Sequence, residues 1–193
     1  IGINFDGTKF IEESIHELKF TTFICALMTA LVVWFFLRTF NSTLNIALSI
    51  PTVTFASFLA MDLFGFTLNT FSMMALTLAV GMIVDDNIMV LENINRWYGI
   101  TKDWKEAAIK GTSEIFGAVI ATSIAVIAIF LPIGYMSGVI GLFFYQFAVV
   151  LSATIFFSTL DALIFTPMRA SQLQGQASHK EVQVLEKFKV WQE

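Results

Sequence analysis

The chain has 193 residues, 56% of them hydrophobic and 13% charged, with 21 Phe, a net charge of -4 and a mean hydropathy of +0.76. About a quarter of the residues of a soluble domain are charged, so this composition excludes one and points to an integral membrane protein. No basic run is dense enough to suggest nucleic acid, and the single Cys25 can form no intrachain disulfide.

In chain order, residues Ile1 to Glu17 are polar, with Phe10, Ile11, Ile15 and Leu18 near helical spacing, and form a lead-in to the first crossing. Stretches of about twenty apolar residues, the length that spans a bilayer, predict five transmembrane helices at about 18–37, 44–64, 69–95, 112–135 and 142–168. Pro51 should kink the second or break it locally. Gly65-Phe66-Thr67 closes a tight hairpin between the second and third. Trp97 to Lys110 is the longest internal connection, a surface element in which Thr101 caps a short helix. Gly134, Gly138 and Gly141 mark the turn before the fifth crossing. The predicted fold is thus an all-α polytopic bundle. Its tail, 169–193, carries an amphipathic helix from about Glu181, with Val184, Leu185, Phe188 and Trp191 on one face, which suits the membrane surface. Since the chain starts at Ile1 within polar sequence, it is expected to be a piece of something longer.

Basic residues set the orientation, because short cytoplasmic loops are rich in Lys and Arg. Arg38, the group Arg96, Lys102, Lys105 and Lys110, and Arg169, Lys180, Lys187 and Lys189 mark the cytoplasmic side, and the loops at Gly65 and Gly138 carry none. The N-terminus is expected outside and the tail inside.

The third crossing contains Gly81-Met82-Ile83-Val84-Asp85-Asp86-Asn87-Ile88-Met89-Val90-Leu91-Glu92-Asn93. Each charge at mid-membrane costs roughly 2.5 to 3.5 kcal/mol, and the apolar residues around the pair return roughly 4 in all. Asp85 and Asp86 therefore need protonation, water or partners. Past Lys19 at the entrance of the first crossing, no Lys or Arg is read within the spans, so a cationic partner must come from elsewhere. A low dielectric and a like-charged neighbour both favour a neutral carboxyl, which is the chemistry of a proton relay. Successive helical residues diverge by about 100°, so the two Asp residues are expected to meet different neighbours. Glu92, near the cytoplasmic end, and Asp161, deep in the last helix, are auxiliary candidates; for each, a hydrogen-bonded packing role is the alternative. Asp62 reads as a helix end. His16 and His179 stand apart, without metal-ligand spacing, and the Met residues read as packing. No phosphate loop, nucleophile triad or metal cluster is present, so neither an enzyme nor a cofactor is expected.

The Gly81 to Ile94 motif closely resembles the resistance-nodulation-division efflux transporters of bacterial inner membranes. Ile15-His16-Glu17, Gly65-Phe66-Thr67-Leu68-Asn69-Thr70, Glu106-Ala107, Glu114-Ile115, Ala121-Thr122, Leu131-Pro132 and Thr166-Pro167 match family positions in order. The resemblance implies transmembrane helices two to six of the N-terminal half. It further implies proton translocation by Asp85 and Asp86 with a Lys of the C-terminal half, protons as the coupling ion, and drug export through periplasmic porter domains. A homotrimer with a periplasmic adaptor and an outer-membrane channel is the implied assembly. Asn87 stands where Ala is usual, Tyr145 where a basic residue is frequent, and Asp161 where the family is often apolar. The paired acids favour the multidrug branch over the metal-exporting one. SecD/SecF-like protein export and a non-transporting helical assembly subunit are the alternatives.

Overall fold

The computed structural model describes residues 40–136 and 138–175, together with ten helical positions between residues 12 and 31. The predicted first crossing at 18–37 falls mostly, and the tail helix from Glu181 wholly, outside the described residues. Within them are four helices long and apolar enough to cross a membrane: Asn41–Leu63, Thr70–Thr101, Trp104–Tyr135 and Phe143–Gly175. These are α1 (Phe40–Leu63), α2 (Thr70–Thr101), α3 (Trp104–Phe130, extended by a 3-10 turn at Leu131–Tyr135) and α4 (Val139–Leu160, extended through a π-turn at Asp161–Phe165 and on to residue 175).

α1 is continuous through Pro51 rather than broken there. Its hydroxyls bond their own helix: Ser49 to the Asn45 carbonyl, Thr52 to Leu48, Thr54 to Ile50 and Ser57 to Val53. Such bonds remove the cost of polar groups in an apolar solvent. The helix ends where Gly65 takes φ +68, with Phe66 N–H donating to the Met61 carbonyl at 2.8 Å. Asn69 then starts α2 in a reciprocal capping box with Ser72. Gln146 of α4 accepts from Asn69 Nδ2 at 2.6 Å and donates to the Thr67 carbonyl at 2.7 Å, which fastens this turn to α4.

The long connection expected between Trp97 and Lys110 is absent. α2 runs 32 residues, roughly 48 Å at helical rise, and only Lys102 and Asp103 separate it from α3. Lys102 takes the left-handed conformation (φ 60) that closes α2, and the cap of α3 is Asp103, accepting from Lys105 N–H at 2.9 Å, rather than Thr101. Tyr98 stacks on Trp104 with centroids 3.7 Å apart, and Glu114 receives Arg96 and Trp97. Aromatic and basic side chains gathered at one end of a hairpin fit a membrane–water boundary.

Lipid removes most of the hydrophobic drive between helices, so close packing and interhelical hydrogen bonds must hold the bundle. Gly111 supplies the closest approach: a Cβ there would meet Ile94 Cα at 2.9 Å. Asn93 Nδ2 donates to the Gly111 carbonyl at 2.6 Å beside it. Ile46, Ile50, Val84, Leu91, Ile94 and Val119 form one packed core, and Met61, Leu76, Phe147, Leu151 and Ile155 another. Only 11% of the apolar stretch of α3 is buried, against 50% in α2 and in α4. α3 thus sits at the rim, and α2 and α4 form the centre. Gly111→Ala is expected to lower the thermal stability of detergent-purified protein by about 1–3 kcal/mol. Gly117→Ala, with nothing within 4 Å, is expected to be neutral or slightly stabilising, and equal effects would contradict the close contact.

Candidate functional site

Asn69 meets Gln146 near the start of α2 and Asp86 meets Ser158 farther along, so α2 and α4 run parallel. The spacing of Met82, Asp85, Asp86 and Met89 puts them on one stripe of α2. That stripe walls a cavity of about 280 Å3, completed by Thr122, Ser123 and Val126 of α3 and Ile155 of α4. The expected 100° divergence does not send the two acids to separate places, because the cavity is wide enough to receive both. Their partners still differ. Asp86 is half-buried and accepts from Ser158 Oγ at 3.4 Å, whereas Asp85 is exposed and has no hydrogen bond or ion pair among the described residues. Ser123 accepts from Thr159 at 2.7 Å and donates to the Val119 carbonyl, which holds α3 to α4 across the cavity. Among the described residues no Lys, Arg or His lines it.

Glu92 is exposed, away from the cavity lining. Asp161 belongs to a different site, on the side of α2 that Asn87 faces. It is 1% exposed and pairs with Arg169, whose Nη2 lies 3.0 and 2.9 Å from its two oxygens. The expectation that the spans hold no basic side chain fails here: α4 continues past residue 168, so Arg169 belongs to its helix rather than to the tail. Arg169 also donates to Ser49 Oγ at 2.7 Å and Thr166 Oγ1 at 3.3 Å; Thr166 donates to Asn87 Oδ1, and Asn87 Nδ2 to the Ile83 carbonyl at 2.7 Å. Asn45 Nδ2 of α1 reaches the Thr166 carbonyl at 3.0 Å. Removing one partner of a buried pair costs about 3–5 kcal/mol, because the remaining charge is left uncompensated.

Sequence reasoning missed Thr166 and Ser158 because their bonds to α2 depend on how two helices pair, and Arg169 because an unbroken α-helix would put residues 161 and 169 about 80° apart. The π-turn at Asp161–Phe165, closed by Thr166 N–H on the Asp161 carbonyl, adds a residue and brings them to within about 20°. Helical side chains tilt towards the N-terminus, so Arg169 reaches back over two turns. Among the described residues no group of His, Cys, Asp and Glu could hold a metal.

The whole chain, residues 1–193, matches the AcrB/AcrD/AcrF family model. The chain belongs to that family. It is therefore a membrane-spanning part of a resistance-nodulation-division transporter, multi-pass and of the bacterial inner membrane, and not an enzyme. It is 42% identical to "Multidrug resistance protein MdtC" of Erwinia tasmaniensis over 87% of its length, and 38% identical to that of Escherichia coli over 95%. It spans 16% and 18% of those two relatives, respectively.

A hydrophobic carbodiimide adds to protonated carboxyls in apolar surroundings and spares those held by a guanidinium. Mass spectrometry of labelled protein should find the adduct on the peptide of Asp85 and Asp86 and none on that of Asp161. The reverse pattern would contradict the two environments.

Proposed function

We propose that this chain carries the proton path of a pump that exports drugs or other amphiphiles, driven by the proton-motive force. The observation that supports this is a pair of adjacent carboxylates opening on one cavity inside the span, with no cation on its walls among the described residues. Charged, the pair requires water or a cation; neutral, it tolerates apolar closure. Each proton bound therefore favours a different arrangement of the surrounding helices, and each proton released reverses it, which couples a gradient to a conformational cycle. Ser158 donates to Asp86 and gives it a partner that Asp85 lacks among the described residues, so the two acids sit in unequal surroundings. Asp161 is compensated by Arg169 and Glu92 is exposed, and neither serves in the relay.

A Lys from the other half of the transporter supplies the missing cation, and the assembly is a homotrimer joined to a periplasmic adaptor and an outer-membrane channel. The names of the relatives support a drug-exporting branch, and family membership favours export over the SecD/SecF-like and assembly-subunit readings. The N-terminus lies outside and the turn at Lys102 in the cytoplasm.

In the gene product that carries this sequence, Asp85→Asn and Asp86→Asn should each abolish export while membrane levels stay normal, because shape and hydrogen bonding are kept and a proton acceptor is lost. Retained drug resistance at normal levels would refute the relay. With Cys25 replaced, Met136→Cys should react with an impermeant thiol reagent on intact cells and Lys102→Cys only after lysis. Labelling of Lys102→Cys from outside would reverse the topology.

A further inference from the structure

Ser158 and Thr166, eight residues apart on α4, hold successive residues of α2, Asp86 and Asn87. Two bonds on neighbouring residues, which point about 100° apart, fix the rotation of α2 about its axis better than either alone. The Ser158 bond is long at 3.4 Å, and the second hold is the buried Thr166 bond to Asn87. That hold is anchored in turn: Thr166 receives Arg169, which Asp161 and Ser49 fasten, and Asn45 takes the Thr166 carbonyl, so α1, α2 and α4 meet at one buried cluster. Asn45, Ser49, Asn87, Asp161 and Thr166 are each at most 1% exposed.

The geometry points to Asn87, Thr166, Asp161 and Arg169 as positioning residues that set the rotation of α2 and so aim Asp86 into the cavity. This rests on the relay reading of Asp85 and Asp86. The π-turn is part of the device, since without its extra residue Asp161, Thr166 and Arg169 would not share a side of α4. Such a buried charge pair is weak as a source of stability and suited to fixing one arrangement among several. Asn87 and Asp161 are joined through Thr166 and Arg169. Asp86 itself is faced by Asp85 from its own helix, by Ser158 from α4, and by Thr122 and Ser123 across the cavity from α3; among the described residues no cation joins them.

The test uses the gene product carrying this sequence, with membrane levels and the pH profile of proton-coupled export measured together. Asp161→Asn and Arg169→Gln should each lower export at least tenfold and shift its pH profile, and the double variant, which removes both charges, should recover to within threefold of the parent. Asn87→Ala leaves no charge unpaired, so it should accumulate normally and yet shift the profile, whereas Asn87→Ser should restore part of the parent profile. Normal export with an unchanged pH profile in Asn87→Ala overturns the proposal, as does loss in the charge variants that follows membrane level alone and is not recovered in the double. Asp86→Asn is run alongside. If it exports normally, the relay reading is what fails; if it is inactive while Asn87→Ala is unchanged, only the positioning device is refuted.

Discussion

An ionisable side chain in an apolar span must be neutral, hydrated or paired, and this bundle uses more than one of those answers within a few residues of one helix. Asp85 and Asp86 open on a cavity with hydroxyl groups from α3. Asp161 is enclosed and paired with a guanidinium from its own helix. The first arrangement leaves room for a proton to come and go. The second fixes a charge in place.

The helices are arranged to keep these two environments apart. α2 is the divider: its Met82–Met89 stripe faces the cavity, and Asn87 faces the cluster with α1 and α4. α3, largely unburied, closes the cavity as a rim helix, held to α2 by the Gly111 approach and to α4 by Ser123 and Thr159. The Gln146 contacts at one end of α2 and the Tyr98–Trp104 stack at the other limit how far it can shift along its axis.

Much of this was legible in the sequence. Apolar length marked the helices, Gly65-Phe66-Thr67 marked the first hairpin, and the cost of two adjacent acids singled out Asp85 and Asp86. The extent of α2 past residue 95 was not legible, because Arg96 and Lys102 resemble a loop although their helix continues into the boundary where charge is tolerated. The Asp161–Arg169 pair was hidden for a geometric reason: the phase of residues beyond a π-turn cannot be read from a period of 3.6. Asn87 drew notice only as a departure from a pattern. Its bond to Thr166 depends on how α2 and α4 are paired, which spacing along one helix does not contain.

The central claim is that Asp85 and Asp86 change protonation during the working cycle. Infrared difference spectroscopy on the gene product reconstituted in liposomes, recorded as a pH gradient is applied, observes the carboxyl groups directly. The account predicts a protonated-carboxyl band that appears and disappears with the gradient and that is lost in the Asp85→Asn/Asp86→Asn double variant. A band that persists unchanged in that variant, or no carboxyl signal during active transport, would contradict it.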